Sequence, residues 1–504
     1  MKKHLYAIIL PLFCLTGTST KAQFLSFKKP ANALRSYTIR TGEGDKLQNF
    51  VNFTELERTG QDSFFYRLSV MDEQLSKAGH IDFSDAYLKP MAAARGAGLL
   101  CIAYLRTEKP RIKLFQKPQT EGELFFQFID SAGAIRYTFS RTVDLLADAA
   151  NVGIRNPAVL RYVAGAGFLY AYGDGRPRES TMRPCNYKDD GLTDKIGLLD
   201  TQGREIWRSQ TRERLSYQLQ IRANHEHVWL LRERNRSVVP AEFEMNIFNM
   251  HDGKLQAVQE LRHYKNDQLN NLLFDLDQQQ QPVMAGITST DEKTAKAFAE
   301  VISPGRRGLT LQITFRELLR DKYKDIYIAR WKDTALSWQL FPLSDTSKLT
   351  RDLSIDMMNN AFVPCYSFLD SVNTVRFLGP LFNSAGSGFE THTIGQMRLD
   401  NSGQLVMEQT YNTDTVERIF QNTHILLVPR LYSSYFKIGG RNYIAIGDAK
   451  NMRIIDYRTQ KIIRQIRRKT DDASRTFFCS RDGHISIMET DALGNTNVFI
   501  EPID

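Results

Sequence analysis

Short apolar runs joined by compact polar turns recur along most of this chain and limit what it can fold into. The run 124–129 meets a turn that begins with Asp130 and ends with Gly133, and a second run leaves it. Glycine supplies the positive φ that tight turns need, and aspartate accepts hydrogen bonds from its own backbone there. Similar units occupy 64–74, 196–207, 243–253, 394–407 and 477–494. The pattern predicts consecutive antiparallel hairpins, which the 30 Phe and 20 Tyr residues also favour.

The spacing of these hairpins indicates a ring. The units recur roughly every 60 residues, which gives about seven or eight of them. Closure into a ring protects the edge strands of so many hairpins, and each unit then packs only on its neighbours. The string Asp-x-x-Gly between two runs resembles the hairpin turns of the WD40-like and quinoprotein-like β-propellers, over most of the chain and at the level of pattern. This resemblance implies an all-β propeller of seven or eight blades; two β-sandwich-type domains are the alternative.

The first 22 residues have the features of a cleaved secretory signal peptide. A basic start precedes an apolar run over 5–15, and a small-residue site ends with Ala22, so cleavage before Gln23 is expected. The apolar run is too short to span a bilayer. Phe13 stands before Cys14, where lipid-attachment signals need a small residue. We therefore expect an exported protein without a transmembrane segment, periplasmic or extracellular and outer-membrane-associated.

One stretch interrupts the strand pattern within the expected single domain 23–504. Alanines follow Asp291, Pro304 ends the segment, and a second helical pattern runs over 315–323. The sequence predicts a helical insertion at 289–324 within one blade. It would either cover hydrophobic surface or act as a lid or docking element.

Charge and cysteine content exclude several classes of protein. Removal of the signal would take three of the 66 basic residues and leave 63 against 57 acidic ones, which does not favour a nucleic-acid partner. The four remaining cysteines form no zinc pattern and allow three disulfide pairings, among which the sequence does not choose. They are Cys101, Cys185, Cys365 and Cys479.

Known catalytic motifs do not occur in the sequence. It has no nucleophile elbow, phosphate loop, dinucleotide fingerprint or zinc-protease motif. His225 and His227 have the spacing of two ligands on one strand face, but no third ligand can be named, and a solvated strand is the alternative. Asp275 and Asp277 are expected to shape a turn. We predict no cofactor and no metal.

Two groups of basic residues stand out. Arg232, Arg234 and Arg236 alternate with other residues, and on a strand they would share a face that could hold an anionic glycan or protein carboxylates. The alternative is the outer strand of a blade, kept charged so that its edge does not recruit another chain. The second group comprises Lys461, Arg464, Arg467, Arg468 and Lys469.

A stretch without strand or helix period, 172–191, is the expected binding loop. Loops of this length are uncommon in compact domains and are often functional. Prolines beside Arg176, Arg178 and Arg183 stiffen the chain, and these arginines would anchor carboxylates of a protein or an acidic glycan. Alternatively, the loop only joins neighbouring blades.

Two classes of function follow from these features. The first is an exported, non-catalytic propeller that binds or scaffolds in the cell envelope through its loops. The second is an exported hydrolase or lyase that acts on a glycan in the central pocket. The absence of motifs favours the first class. Carboxylates, histidines or tyrosines facing each other across the pocket would favour the second.

Overall fold

The computed structural model describes most of the chain after residue 22. The described residues are 23–27, 35–43, 46–60, 63–71, 78–107, 121–144, 158–173, 194–211, 216–236, 239–261, 268–289, 309–310, 323–332, 334–342, 360–385, 388–399, 405–420, 425–426, 432–438, 440–447, 451–467, 474–479, 484–490 and 496–503. The predicted signal 1–22, the arginines Arg176, Arg178 and Arg183, and most of the predicted insertion 289–324 lie outside these residues.

The described strands form antiparallel four-stranded blades, whose strands we label a to d from the inside outward. Blade 1 contains β2 (Arg35–Glu43), β3 (Lys46–Arg58), β4 (Phe64–Met71) and β5 (Ala78–Asp85). Blade 2 contains β6 (Tyr87–Gly96), β7 (Leu99–Thr107), β8 (Glu121–Ile129) and β9 (Ile135–Asp144). Blade 3 contains β10 (Ala158–Val163), β11 (Gly167–Tyr172), β12 (Lys195–Leu199) and β13 (Glu205–Gln210). Blade 4 contains β14 (Ser216–Ala223), β15 (His227–Arg236), β16 (Val239–Asn249) and β17 (Leu255–Leu261).

The second half of the chain repeats this order. Blade 5 contains β18 (Gln268–Leu276), β19 (Pro282–Ser289), β21 (Tyr323–Lys332) and β22 (Ala335–Pro342). In blade 6 strand a is divided into β23 (Asn360–Phe362) and β24 (Tyr366–Leu369), followed by β25 (Val375–Ala385), β26 (Gly388–Leu399) and β27 (Leu405–Phe420). Blade 7 contains β29 (Tyr432–Ile438), β30 (Arg441–Gly447), β31 (Asn451–Asp456) and β32 (Ile462–Arg467). Blade 8 begins with β33 (Ser474–Cys479), β34 (His484–Thr490) and β35 (Thr496–Pro502).

The eight blades close into a ring. Strand β1 (Gln23–Phe27) pairs antiparallel with β35 and is strand d of blade 8, so the two ends of the described chain share one blade. Each a strand contacts the next around the circle, from β2 and β6 to β29 and β33, and a parallel pair between β33 and β3 completes it. The fold is therefore an eight-bladed β-propeller, within the expected range of blade number. The described strands do not form the alternative fold, two β-sandwich domains.

The core lies between the blades. Each of its apolar clusters combines residues of two neighbouring blades, as where Trp207 of blade 3 packs with Leu219 and Phe248 of blade 4. Phe53 of blade 1 and Tyr104 of blade 2 meet in the same way, with ring centroids 5.4 Å apart. Because these clusters lie at the successive interfaces of blades 1 to 5 and of blades 6 to 8, the chain forms a large fold without one large core.

The hairpin turns follow the aspartate chemistry expected from the sequence. Asp130 Oδ1 accepts the N–H groups of Ala132 and Ala134, and the Asp130 N–H donates to the Ala134 carbonyl. Gly133 has a φ of 82°. The same bonding pattern recurs at Asp200, and Asp277 shapes its turn as expected. The expectation for Asp275 was wrong, because this residue lies within β18 and its carboxylate accepts a hydrogen bond from Arg222 of blade 4.

All described residues of the predicted insertion lie in strands: 289 in β19, 309–310 in β20, and 323–324 in β21. Residues 323 and 324 belong to β21, because the alternation that continues through Ile326 and Ile328 pairs this segment with β19 and β22. Strand β20 (Leu309–Thr310) pairs with β28 (Ile425–Leu426). The first predicted helix and residues 315–322 of the second lie outside the described residues. None of the described residues forms a helix long and apolar enough to cross a membrane.

Candidate functional site

The two faces of the ring carry different connections. Antiparallel order places the a–b and c–d turns on one face and the b–c and blade-to-blade connections on the other. On the first face, no connection between described strands exceeds six residues, so we call it the short-turn face. All connections of more than ten residues are on the second, the long-loop face: 108–120, 145–157, 173–194, 290–322, 343–359 and 421–431.

The predicted binding elements belong to the long-loop face. The segment with Arg176, Arg178 and Arg183 joins β11 to β12, and the segment 290–322 joins β19 to β21. The pairing of β20 with β28 links the second of these segments to the connection between blades 6 and 7. Two long connections therefore meet on this face.

Arg232 is buried between blades 3 and 4. Its Nε donates to Asp194 Oδ2 at 2.8 Å and its Nη1 to Glu244 Oε1 at 2.6 Å, and the Arg232 and Asp194 side chains have no exposed area. Asn246 Nδ2 also donates to Glu244, at 2.6 Å. A carboxylate of one blade and an arginine of the next thus form one network.

The outer-strand interpretation of the arginine stripe was wrong. Strand β15 is strand b, paired on both sides with β14 and β16, so it has no edge to protect. A register shift lies between the pairs Arg234–Glu242 and Arg236–Val239, where β16 and not β15 carries the extra residue. The side chains of Arg234 and Arg236 lie outside the described residues.

A second ionic network lies within blade 6, where a β-bulge directs a carboxylate inward. The bulge follows from the register, in which Met397 pairs with Met407 and Gln396 with Gln409, so Glu408 is the extra residue. Glu408 accepts hydrogen bonds from Arg376 and Gln396.

The other charged partners complete this network. Arg398 Nε donates to Glu408 Oε1 at 3.2 Å, and Arg376 Nε donates to Asp370 Oδ2 at 2.7 Å. The Asp370 side chain is 1% exposed and that of Arg376 is 9% exposed. The network is therefore balanced in charge, with the Asp370–Arg376 pair buried and the Glu408–Arg398 pair about a third exposed.

Three tyrosines connect this network to blade 7. Tyr411 Oη lies 2.9 Å from Oε1 of Gln396 and 2.9 Å from Oε1 of Gln460 in the c–d turn of blade 7. Burial, with the charge of Asp370, raises the pKa of Tyr435 to about 12. Burial also raises the pKa of Tyr411 and Tyr457 above the usual range. All three hydroxyls are protonated at neutral pH and can donate hydrogen bonds.

Ion pairs of the same kind occur at other blade interfaces. Each joins an arginine of one blade to a carboxylate of a neighbour: Arg106 with Asp85, Arg141 with Glu205, Arg222 with Asp275, and Arg464 with Glu501. Tyr170 Oη also donates to Glu205, at 2.9 Å. These acidic and phenolic groups of the described chain lie between adjacent blades and not opposite one another across the ring.

The histidine pair does not have the geometry expected of two ligands on one strand. His225 lies in the a–b turn of blade 4 and its side chain is 82% exposed, whereas His227 begins β15 and is 16% exposed. The described residues contain no group of three or more histidine, cysteine, aspartate or glutamate side chains placed to hold a metal ion.

The structure describes the side chains of two of the four cysteines. Cys101 is buried, Cys365 is partly buried, and both are free thiols. Burial raises the pKa of both, that of Cys365 to about 12, so neither is a thiolate at neutral pH. Cys185 and the side chain of Cys479 lie outside the described residues, and their pairing stays open.

The second basic group lies partly on the outermost strand of blade 7. Strand β32 exposes Ile462 and Ile463, and Arg464 Nη2 donates to Glu501 of blade 8 at 2.6 Å. Arg468 and Lys469 lie outside the described residues. Here charged residues do occupy an edge strand.

Comparisons with known proteins show distant similarity of arrangement. The β-propeller domain of the Trilobed protease from Pyrococcus furiosus is 11% identical, with a TM-score of 0.34, over 83% of this chain and 96% of that one. Apo AztD from Citrobacter koseri is 10% identical, with a TM-score of 0.36, over 86% and 94%. The quinohemoprotein alcohol dehydrogenase ADHIIG from Pseudomonas putida HK5 is 8% identical, with a TM-score of 0.41, over 93% and 75%.

No family model matches the chain, and no curated protein matches it. The strand order defines the class of protein: a β-propeller with eight blades, closed by its N-terminal strand. The comparisons assign no family within that class.

Proposed function

We propose that this chain is an exported, non-catalytic β-propeller that binds a protein or an acidic glycan of the cell envelope through its long-loop face. The observation that carries this proposal is the distribution of connections, with every connection longer than ten residues on one face. Long loops on a rigid scaffold are a common location of binding residues, because they vary without disturbing the fold.

The loop that joins β11 and β12 provides the candidate contact residues. Arg176, Arg178 and Arg183 belong to it, and guanidinium groups bind carboxylates through two parallel hydrogen bonds. The scaffold beside this loop is firmly held, because Asp194, which directly precedes β12, pairs with buried Arg232. A rigid base lowers the entropy lost when a loop engages its partner.

Export is the second part of the proposal. The predicted signal ends at Ala22, and the first described strand begins at Gln23, so cleavage there would leave β1 intact for ring closure. We expect the exported protein to have the mass of a chain that begins at Gln23. A mass that retains Met1, or a lipid-modified Cys14, would contradict this.

Binding is tested with a uronate polymer and a matched pair of variants. Polygalacturonate is the acidic probe and dextran the neutral control, with affinity measured by biolayer interferometry. Arg176→Ala/Arg178→Ala/Arg183→Ala should weaken polygalacturonate binding at least tenfold. The matched variant Arg136→Ala/Arg204→Ala/Lys254→Ala removes three exposed cations of the short-turn face and should bind as the wild type does.

A protein partner is tested by photo-crosslinking from positions 176 and 204 in the producing cells. A defined product from 176 and none from 204 would support the proposal. Equal binding by both triple variants with no position-dependent product would overturn it. Release of new chain ends from polygalacturonate by the wild type would contradict the non-catalytic assignment.

A further inference from the structure

Arg330 differs from the arginines that pair with carboxylates across blade interfaces. At five interfaces an arginine pairs with a carboxylate of the neighbouring blade. Arg330, near the end of β21 in blade 5, also reaches its neighbour, but its Nη2 donates to a carbonyl oxygen, that of Asn373 in blade 6, at 3.2 Å. Within the described part of the chain, its Nε and Nη1 donate no hydrogen bond and no carboxylate pairs with it. The guanidinium therefore keeps unused donors at this interface.

The environment of Arg330 favours an added anion. Its side chain is only partly accessible to solvent. Burial lowers the pKa of Arg330 from its usual value, and the charge of Asp277 opposes this effect without cancelling it. Because a cation that has lost part of its hydration is stabilised by a hydrogen-bonded anion, a carboxylate would supply what the neighbouring blade does not.

Two adjoining turns fix the surroundings of this guanidinium. Gln278 Nε2, in the a–b turn of blade 5, donates to the Ser371 carbonyl oxygen in the a–b turn of blade 6 at 2.6 Å. Asn373 Nδ2 donates to Gln279 Oε1 at 3.3 Å, which links the same two turns again. The carbonyl oxygen that Arg330 contacts thus belongs to a turn held in place by the blade beside it. The blade 5–6 junction is our name for Gln278, Gln279, Arg330, Ser371, Val372 and Asn373.

An exposed apolar side chain lies beside the cation. Val372 directly precedes Asn373 in the turn of blade 6. It is 71% exposed, the largest fraction among the described large apolar side chains that are exposed. Gln278 and Gln279 are exposed as well. The junction therefore presents a guanidinium, an apolar side chain and two amides within two adjoining turns.

The charges around the junction leave no large surplus of either sign. Lys332, two residues after Arg330 on β21, is exposed. Asp277 lies in the turn of blade 5, and the Asp370 carboxylate is already paired within blade 6. Asp333, which follows Lys332, lies outside the described residues. Recognition here depends on the free donors of Arg330 and not on net positive charge.

We infer that the blade 5–6 junction binds the C-terminal end of a peptide whose last residue is apolar. The terminal carboxylate accepts the free N–H groups of Arg330, since guanidinium groups bind carboxylates through paired hydrogen bonds. The last side chain covers Val372 and removes its apolar surface from water. The peptide groups meet the amides of Gln278 and Gln279. The junction is on the short-turn face, opposite the long loops, so this site is separate from the proposed function.

Ligand-detected NMR titration of the full chain tests the inference. N-Acetyl-leucine represents the peptide end, and N-acetyl-leucinamide has nearly the same shape without the charge. N-Acetylglycine lacks the apolar side chain, and hexanoate lacks the amide. The wild type should bind N-acetyl-leucine saturably, the leucinamide at least tenfold more weakly, and the other two severalfold more weakly. Hexanoate binding as tight as that of N-acetyl-leucine would contradict a peptide end as the ligand.

Variants locate the binding. Arg330→Gln should lose at least tenfold in affinity for N-acetyl-leucine, whereas Arg204→Gln, on an exposed turn of blade 3, should retain it. If Arg330→Gln does not fold, Val372→Asp replaces it, because this position is exposed and the new carboxylate should repel that of the ligand, with a similar loss. Absence of saturable binding by the wild type, equal affinity for N-acetyl-leucinamide, or unchanged affinity of the folded Arg330 or Val372 variant would overturn the inference.

Discussion

Arg232 joins Asp194 of blade 3 to Glu244 of its own blade. The side chains of Arg232 and Asp194 have no exposed area, and that of Glu244 is 6% exposed. Burying charged groups is costly, and their attraction offsets this cost only when the geometry and the additional hydrogen bonds are good. This pair fixes one contact between two blades, because Asp194 belongs to blade 3 and Arg232 to blade 4.

Removal of this guanidinium should therefore strongly destabilise the folded protein. We expect Arg232→Met to lower the free energy of unfolding by about 3–5 kcal/mol, because two carboxylates would stay buried without their cation. Arg204→Met is the matched control: its partner Asp200 belongs to the same turn and its side chain is 73% exposed. That variant should lose at most about 1 kcal/mol. Similar losses in urea denaturation would contradict the assigned role of Arg232.

Gly253 lies in the c–d turn of blade 4, at a point where this turn contacts blade 3. Its φ is 68°, and a Cβ there would lie 2.4 Å from the Trp207 ring of blade 3. Gly440 has a similar φ of 81°, but nothing lies within 4 Å of its added Cβ. A comparison of substitutions at these two glycines separates the cost of the positive φ from the cost of the contact between blades.

We expect Gly253→Ala to destabilise the protein by about 1–3 kcal/mol more than Gly440→Ala, because overpacking adds to the strain that both share. Thermal and urea denaturation of both variants give this difference. Equal losses would show that the turn of blade 4 does not press on Trp207.

At the scale of the hairpin, the carboxylate of Asp130 stabilises its turn only while it is ionised. The Ala134 N–H, followed by Arg136, lowers the pKa of Asp130 below its usual value. A lowered pKa stabilises the folded state above the unfolded pKa, about 3.9, and this contribution is lost as the pH falls through the folded value.

Asp130→Ala should therefore melt below the wild type by a constant interval from pH 7 to about pH 5, and the interval should shrink below about pH 4. Ser131→Ala, in the same exposed turn, should show no such trend. An interval that stays constant down to pH 3 would contradict the ionised role of Asp130.

The hairpins are also where sequence and structure agree best. Asp130 with Gly133 and Asp200 with Gly203 mark turns because their bonding is local. The turn at Asp370 was missed, because Asn373 takes the left-handed position with a φ of 66° where glycine was expected. A hairpin turn can be predicted from the sequence when its usual residues, aspartate and glycine, form it.

Contacts between blades could not be predicted in this way. Arg232 was identified as part of a stripe, but its partner Asp194 lies 38 residues earlier in another blade. The inward position of Glu408 depends on a bulge, which shifts the register by one residue and leaves no mark in the apolar pattern. Such sites depend on how the blades dock.

The whole molecule is defined by closure of the ring. Strand β1 provides strand d of blade 8, so residues 23–27 and 496–502 hold the two ends of the described chain together. A ring closed in this way has no unpaired first or last blade. The eight blades, the two unlike faces and the channel all depend on this pairing.

A designed cross-link tests that closure most directly. Ser26 and Asn497 are Cα partners in the β1–β35 pair. Ser26→Cys/Asn497→Cys should form a disulfide under mild oxidation, identified by peptide mass mapping, and should raise the melting temperature of the oxidised protein. In the control Ser26→Cys/Ser486→Cys, position 486 lies on β34, beyond β35, and no such link should form. Closure of the ring by β1 requires the 26–497 link without the 26–486 link; failure of the first, or equal formation of both, would contradict it.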